Sequence, residues 1–116
     1  MIKEIWENIP GYEGHYQVSS LGRIKSLKWG NVKFKNTPIT KNYRCVKLRK
    51  DGKEKFFGVH QLMGMAFLNH VPNGWNLVID HIDGNKLNNN IDNLRVVTTR
   101  ENNIFWIQNK KENNNE

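Results

Sequence analysis

The stretch Val78 to Asn103, VIDHIDGNKLNNNIDNLRVVTTRENN, decides how the rest of this chain is read. A short apolar lead, Leu77-Val78-Ile79, stops at two adjacent groups able to do chemistry, Asp80 and His81. A carboxylate is a hard oxygen ligand for a divalent cation, and a neutral imidazole takes a proton from water near neutral pH. The pair suits hydrolysis. Downstream, Asp83-Gly84-Asn85 reads as a tight turn and Asn88 to Asn90 as loop, before the β-prone run Leu94 to Val97. Thr98-x-x-Glu101 is a capping-box signature, and Ile104, Phe105, Ile107 and Gln108 continue it as a helix with one apolar side and Asn102 in its first turn. The order is strand, polar loop, strand, helix.

With Asp80-His81 closing the first strand, Asn93 ahead of the second and Asn102 on the helix, this arrangement resembles the HNH nuclease family and its ββα-metal (His-Me finger) fold. It is most similar to the phage and intron-borne homing endonucleases, whose pattern is V-D-H-x-D/N-G-N-K-x-x-N-x-x-x-N-L-R-W-V-T-x-x-E-N. The match runs from Val78, with Ile79 before Asp80, to Asn102, and departs at Val96 where the family has Trp. The resemblance implies that His81 is the general base, that Asp80 and Asn102 bind a single metal ion, and that Asn93 steadies the His81 loop. The third letter of HNH is Asn here, and an amide oxygen suits Mg²⁺ or Mn²⁺ better than zinc. The implied chemistry is phosphodiester hydrolysis leaving 5′-phosphate and 3′-hydroxyl ends.

Two structural demands follow. Adjacent strand residues point to opposite faces, so Asp80 and His81 flank one phosphate only if the strand ends there and the chain curls. A neutral His81 also needs a partner for its other ring nitrogen, and a carbonyl in the loop near Asn93 is the expected supplier. Arg95 either clamps a phosphate or pairs with Asp92 across a bend, and the sequence leaves both open.

At 116 residues the chain suits one compact unit with a modest core. No apolar run approaches the roughly 18 residues of a membrane span, and the N-terminus lacks the apolar core of a signal peptide. The expected setting is the cytoplasm of a bacterial host, with the gene carried by a phage or mobile element, and no membrane partner. One cysteine, Cys45, excludes an internal disulfide and a Cys-based zinc knuckle, and is read as a small buried apolar side chain. Of the eighteen Lys and Arg, twelve fall within residues 22 to 56 against two acids, giving +10 there and −3 elsewhere. Contacts to successive phosphates need many cations spread over a surface, so double-stranded DNA is the expected partner.

Residues 6 to 27, WENIPGYEGHYQVSSLGRIKSL, read as a small β-hairpin with strands Tyr16–Ser19 and Arg23–Leu27. They resemble the N-terminal module of homing HNH enzymes, W-x-x-I-x-G-Y-E-x-x-Y-x-V-S-x-x-G-R-V-x-S-L, which implies DNA contact through Arg23 and Lys25. Trp6, Tyr12 and Tyr16 are expected to fill a small core rather than stack on bases. Residues 28 to 42 read as loop or wandering strand. NYRCVKLRK-DG-KEKFFGV is a hairpin about a type I′ turn at Asp51-Gly52, its exposed side carrying Lys47, Arg49, Lys53 and Lys55 toward DNA. His60 to Leu68 has helical spacing, with His60 a helix-start residue, while His15 and His70 have no ligand set nearby.

The expected organisation is α+β: a basic β-rich DNA-binding module over 1–56, the HNH ββα-metal core over 57–108, and a disordered polar tail over 109–116. Larger homing enzymes continue into a helical DNA-binding module, so recognition here is expected on the basic N-terminal half, a second subunit or another protein. The function expected is a metal-dependent endonuclease of the homing type, a nickase as a monomer and able to break both strands as a weak homodimer. Arg95 joins its expected DNA contacts. The alternative is a catalytically silent DNA-binding regulator derived from such a nuclease.

Overall fold

In the computed structural model, residues 3–70 and 77–100 are described, and their architecture is α+β. The chain begins as a four-stranded antiparallel sheet of β1 (Trp6–Asn8), β2 (Tyr16–Ser19), β3 (Ile24–Ser26) and β4 (Lys33–Phe34), in that order. Tyr16 and Val18 alternate inward from β2 and are 2% and 0% exposed. The expected hairpin is therefore its centre, and β1 and β4 are edge strands too short to show a period of two. The region expected as loop also contains a 3₁₀ turn at Lys28–Gly30 and the short strand β5 (Ile39–Thr40).

β5 pairs with β6 (Tyr43–Lys50), which pairs with β7 (Lys53–Gly58). The β6–β7 turn has positive φ at both Asp51 (54°) and Gly52 (76°), as a type I′ turn requires. The expected hairpin is present, but its faces differ from expectation. Cross-strand partners share a face, and Lys47 stands opposite Phe56, Arg49 opposite Glu54, Leu48 opposite Lys55 and Lys50 opposite Lys53. Lys47 and Arg49 thus lie on one face and Lys53 and Lys55 on the other, because a two-residue turn pairs odd positions with even ones.

Helix α1 (Val59–Phe67) follows β7 directly, one residue earlier than its spacing predicts, and buries Val59, Leu62 and Met63 completely. The last described elements are β8 (Leu77–His81) and β9 (Leu94–Thr98), antiparallel from Leu77 opposite Thr98 to His81 opposite Leu94. The backbone turns helical at Thr99 and Arg100. The remainder of the expected helix, with Asn102, and the expected polar tail fall outside the described residues.

One apolar cluster ties these parts together: Ile9, Tyr16, Val18 and Ile24 from the first sheet, Val46 and Leu48 from β6, the three α1 residues, and Ile79 and Leu94 from β8 and β9. Each such side chain contributes about 1.5–3 kcal/mol of burial, so α1 is held between the N-terminal sheet and the β8–β9 pair. Tyr16 is anchored at its polar tip as well, its hydroxyl accepting from Arg49 N at 3.1 Å and donating to Arg49 O at 3.3 Å. Cys45 is half-buried rather than buried.

Candidate active site

β8 carries Asp80 and His81 out of the core at its C-terminal end, and both remain buried, at 4% and 5% exposure. The strand does not end between them. Ile82 N still donates to Asn93 O at 2.8 Å, so the ladder runs past His81 and the two side chains leave opposite faces of the pair. β8 nevertheless ends at His81, as expected: the chain turns through Ile82 and Asp83, and Gly84 N donates to His81 O at 2.9 Å.

On one face, Asp80 stands opposite Arg95, whose Nε donates to Asp80 Oδ2 at 2.8 Å. The Asp80 side chain is 3% exposed and that of Arg95 38%, so the guanidinium spans from the buried carboxylate to the surface. Neither expected reading of Arg95 had this partner, and Asp92 is not the acid it pairs with here.

On the other face, His81 Nε2 lies 2.9 Å from Asn89 Oδ1. An amide oxygen only accepts, so Nε2 carries the proton in the neutral ring and Nδ1 keeps the basic lone pair. The partner is a carbonyl in the loop near Asn93, as expected, and it is the side-chain amide oxygen of Asn89 in the Asn run. The ring is further bounded by Tyr43 and His60, with centroids 6.1 Å and 5.4 Å from its own, and Lys86 Nζ sits 5.1 Å above the Tyr43 ring. Burial, and then the charge of His81, push the pKa of His60 down to about 4.

The loop between the strands is tied by its own polar side chains. Asp83 accepts from Asn85 N (2.8 Å), Asn88 Nδ2 (2.9 Å) and Asn93 Nδ2 (2.9 Å), and these bonds hold its carboxyl below the usual range, Asn88 contributing most. Asn93 answers through Oδ1, which accepts from Asp83 N at 3.0 Å, while Nδ2 also donates to Asn88 O at 2.9 Å. Asn93 therefore clasps the two arms of the loop. The N-terminal sheet supports the same loop: Ile91 N donates to Ser20 O at 2.8 Å, and Gly22, at φ +84°, lies so close that a Cβ there would sit 2.8 Å from Asn89 Cβ.

Sequence reasoning named Asp80, His81 and Asn93, and the structure sets Asn89, Tyr43, His60 and Gly22 around them, none of which it had named as a site residue. Asn89 is the middle of three identical residues, and nothing local separates it from a solvated neighbour. Of the expected DNA contacts, Arg23 pairs with Glu4 and lies 4.6 Å over the Phe34 ring, and Lys25 lies 4.2 Å over Trp6. Lys47 and Arg49 face Glu54 at 3.3 Å and 3.9 Å, and Lys53 and Lys55 are exposed.

Among the described residues no three His, Cys, Asp or Glu converge as a metal cage. Mg²⁺ and Mn²⁺ do not need one, because they keep several waters and use one or two carboxylates. Asp80 supplies a hard carboxylate suited to that role, with Oδ2 held by Arg95 in this arrangement.

Comparison with known proteins adds to this geometry. A family model described as HNH endonuclease matches residues 57–104, and one described as NUMOD4 motif matches residues 4–49. The chain is 45% identical over 97 residues to DNA endonuclease I-HmuI of Bacillus phage SP01, covering 84% of this chain and 54% of that protein. It is 38% identical over 98 residues to the uncharacterized HNH endonuclease L245 of Acanthamoeba polyphaga mimivirus, covering 84% of this chain and 28% of that one. A solved structure described as DNA binding and cleavage by the HNH homing endonuclease I-HmuI superposes with a TM-score of 0.81 at 43% identity, over 91% of this chain and 59% of the other. The chain thus spans about half the length of the first of these relatives.

Proposed function

This chain belongs to the HNH endonuclease family through residues 57–104, and from that premise we propose that it is a DNA endonuclease of the homing type, hydrolysing phosphodiester bonds of double-stranded DNA. The observation that carries the reading is His81, a buried imidazole whose Nε2 is committed to Asn89 and whose basic nitrogen is therefore Nδ1. In this reading His81 Nδ1 takes the proton from a water in line with the scissile phosphorus. Asn89 fixes the tautomer, and Asn93 holds the loop that carries Asn89 in place. Asp80, with Asn102, would hold a single Mg²⁺ or Mn²⁺, which when bound supplies charge neutralisation at the phosphoryl and leaving 3′ oxygens. The products carry 5′-phosphate and 3′-hydroxyl ends. For Asp80 to act so, Arg95 must yield Oδ2, and its exposed end is then placed to meet a phosphate.

The cations Arg23, Lys25, Lys47, Arg49, Lys53, Lys55 and Arg95 supply the sequence-independent part of DNA affinity. Residues 1–56 serve as the basic module and 57–108 as the nuclease core, nicking one strand as a monomer and able to cut both as a weak dimer. The cytoplasm of a phage-infected bacterium is the setting this implies. Among the described residues no helix is long and apolar enough to cross a membrane.

Supercoiled plasmid incubated with Mg²⁺, with EDTA and with the His81→Ala variant tests the reading. Metal-dependent nicking that the substitution lowers by about 10²–10⁴-fold, with ends that DNA ligase reseals directly, supports it. A second reading, a DNA-binding regulator that does not cut, is favoured by one observation, the guanidinium of Arg95 on Asp80 Oδ2. Tight DNA binding without cleavage under any divalent cation would select it.

A further inference from the structure

His60 opens α1, yet its ring lies against the catalytic imidazole of the proposed reaction rather than toward solvent. Its centroid is 5.4 Å from that of His81, at an interplanar angle of 57°, and 4.8 Å from that of Tyr43, at 31°. Behind it the backbone leaves no slack: a Cβ at Gly58 would come 2.6 Å from His60 Cε1, so the ring occupies the space that a side chain at position 58 would need. Its Nδ1 is buried with no hydrogen-bond partner among the described residues.

The hydrogen bond from His81 Nε2 to Asn89 fixes one point of the His81 ring but not its plane. An imidazole tethered at one nitrogen swings about that bond, and the opposite nitrogen, the one that must meet the nucleophilic water, moves furthest. Productive proton transfer tolerates only about 0.5 Å and 10–20° of such error. Two further rings, His60 and Tyr43, bound His81 where the hydrogen bond leaves it loose. We propose that His60 is a positioning residue for His81, its flat ring, backed by Gly58 and Tyr43, setting the plane in which His81 presents Nδ1 to the reacting water. The proposal rests on the reading of His81 as the base. It asks nothing of the His60 nitrogens, and the neutrality imposed on His60 by its surroundings keeps a second cation away from His81.

The experiment compares the whole chain with its His60→Ala, His60→Phe and His81→Ala variants, measuring single-turnover plasmid nicking with Mg²⁺, DNA affinity and the ring NMR signals of His81. Misplacing a reacting group by about 1 Å costs on the order of 10²-fold, so His60→Ala is expected to lower the nicking rate about 10- to 100-fold with DNA affinity within ~2-fold, and His60→Phe to return it to within ~3-fold. The His81 ring signals broaden or shift in the Ala variant and recover in the Phe variant. Wild-type nicking by His60→Ala while His81→Ala is inactive overturns the proposal and leaves the base reading standing, as does equal loss in the Ala and Phe variants. Wild-type nicking by His81→Ala overturns the base reading itself, and the proposal with it. If His60→Ala does not fold, the Phe variant decides alone: near-wild-type rate supports the role of ring shape, and a loss beyond ~10-fold removes it.

Discussion

Between Asp83 and Asn93 nearly every polar side chain is bonded to the chain itself, whereas on β6 and β7 the cations Lys47, Arg49, Lys53 and Lys55 are exposed to water. Asp83, Asn85, Asn88, Asn89, Asn90 and Asn93 all make hydrogen bonds within the loop or to His81. On the ribbon, the ion pairs of Lys47 and Arg49 with Glu54 are half exposed, the kind of contact that contributes about 0–1 kcal/mol. The contrast follows from what each region has to do. Orienting one nitrogen needs every member of a network, since each bond removes a different freedom. Attracting a polyanion needs only a number of charges, which can be traded against one another.

The strongest way to break that contrast is at its centre. His81→Ala is expected to reduce nicking by about 10²–10⁴-fold with DNA affinity nearly unchanged, read by plasmid relaxation and filter binding. A matching fall in affinity would merge the two regions into one. Acid titration probes the same face through His60. Its folded pKa, about 4, lies below the ordinary 6.5, so the unfolded chain binds the proton first as pH falls. The stability it contributes is whole above pH 6.5 and is lost as pH drops from there toward 4, by about 3 kcal/mol at most. Denaturant melts across that window should flatten in His60→Phe, and an unchanged slope would mean that the site tolerates the charge.

Asn89→Ala takes away the acceptor for His81 Nε2 and is expected to cost about 10–100-fold in nicking, as loss of an orienting partner does. Gly22→Ala forces a side chain to φ +84° and against Asn89, with an expected loss of about 1–3 kcal/mol in denaturant unfolding and a fall in nicking, although position 22 lies in the N-terminal sheet. The smallest effects belong to the ribbon. Lys47→Gln or Arg49→Gln should each reduce the salt slope of DNA binding by about 1 and leave the bound-state cleavage rate alone. Charge reversal at both positions that left affinity intact would remove the ribbon from the DNA surface.

Which parts of this were legible beforehand depended on range. The Asp51-Gly52 turn and the helical spacing of His60 to Leu68 follow from backbone preference and periodicity over a few residues, although the helix begins one residue earlier, at Val59. The same holds for the order of Asp80, His81 and Asn93. The faces of the ribbon were misjudged because alternation along one strand says nothing about its pairing partner until the register is known. Arg95 was assigned to phosphate or to Asp92 because its partner, Asp80, comes from the neighbouring strand.

By itself, then, the sequence determined the central hairpins, α1, the β8–β9 pair, the family they belong to and the side chains with chemical capacity, because those depend on local conformation and on residue type. Only the tertiary structure decided that the carbonyl holding His81 is that of the Asn89 side chain, that His60 and Tyr43 wall its ring, and that Gly22 presses on Asn89. Asn89 reaches His81 within the β8–β9 loop, but the other contacts join segments that meet only when α1 and the sheets close over one core, so packing, which no local pattern encodes, chooses most neighbours of the reactive groups.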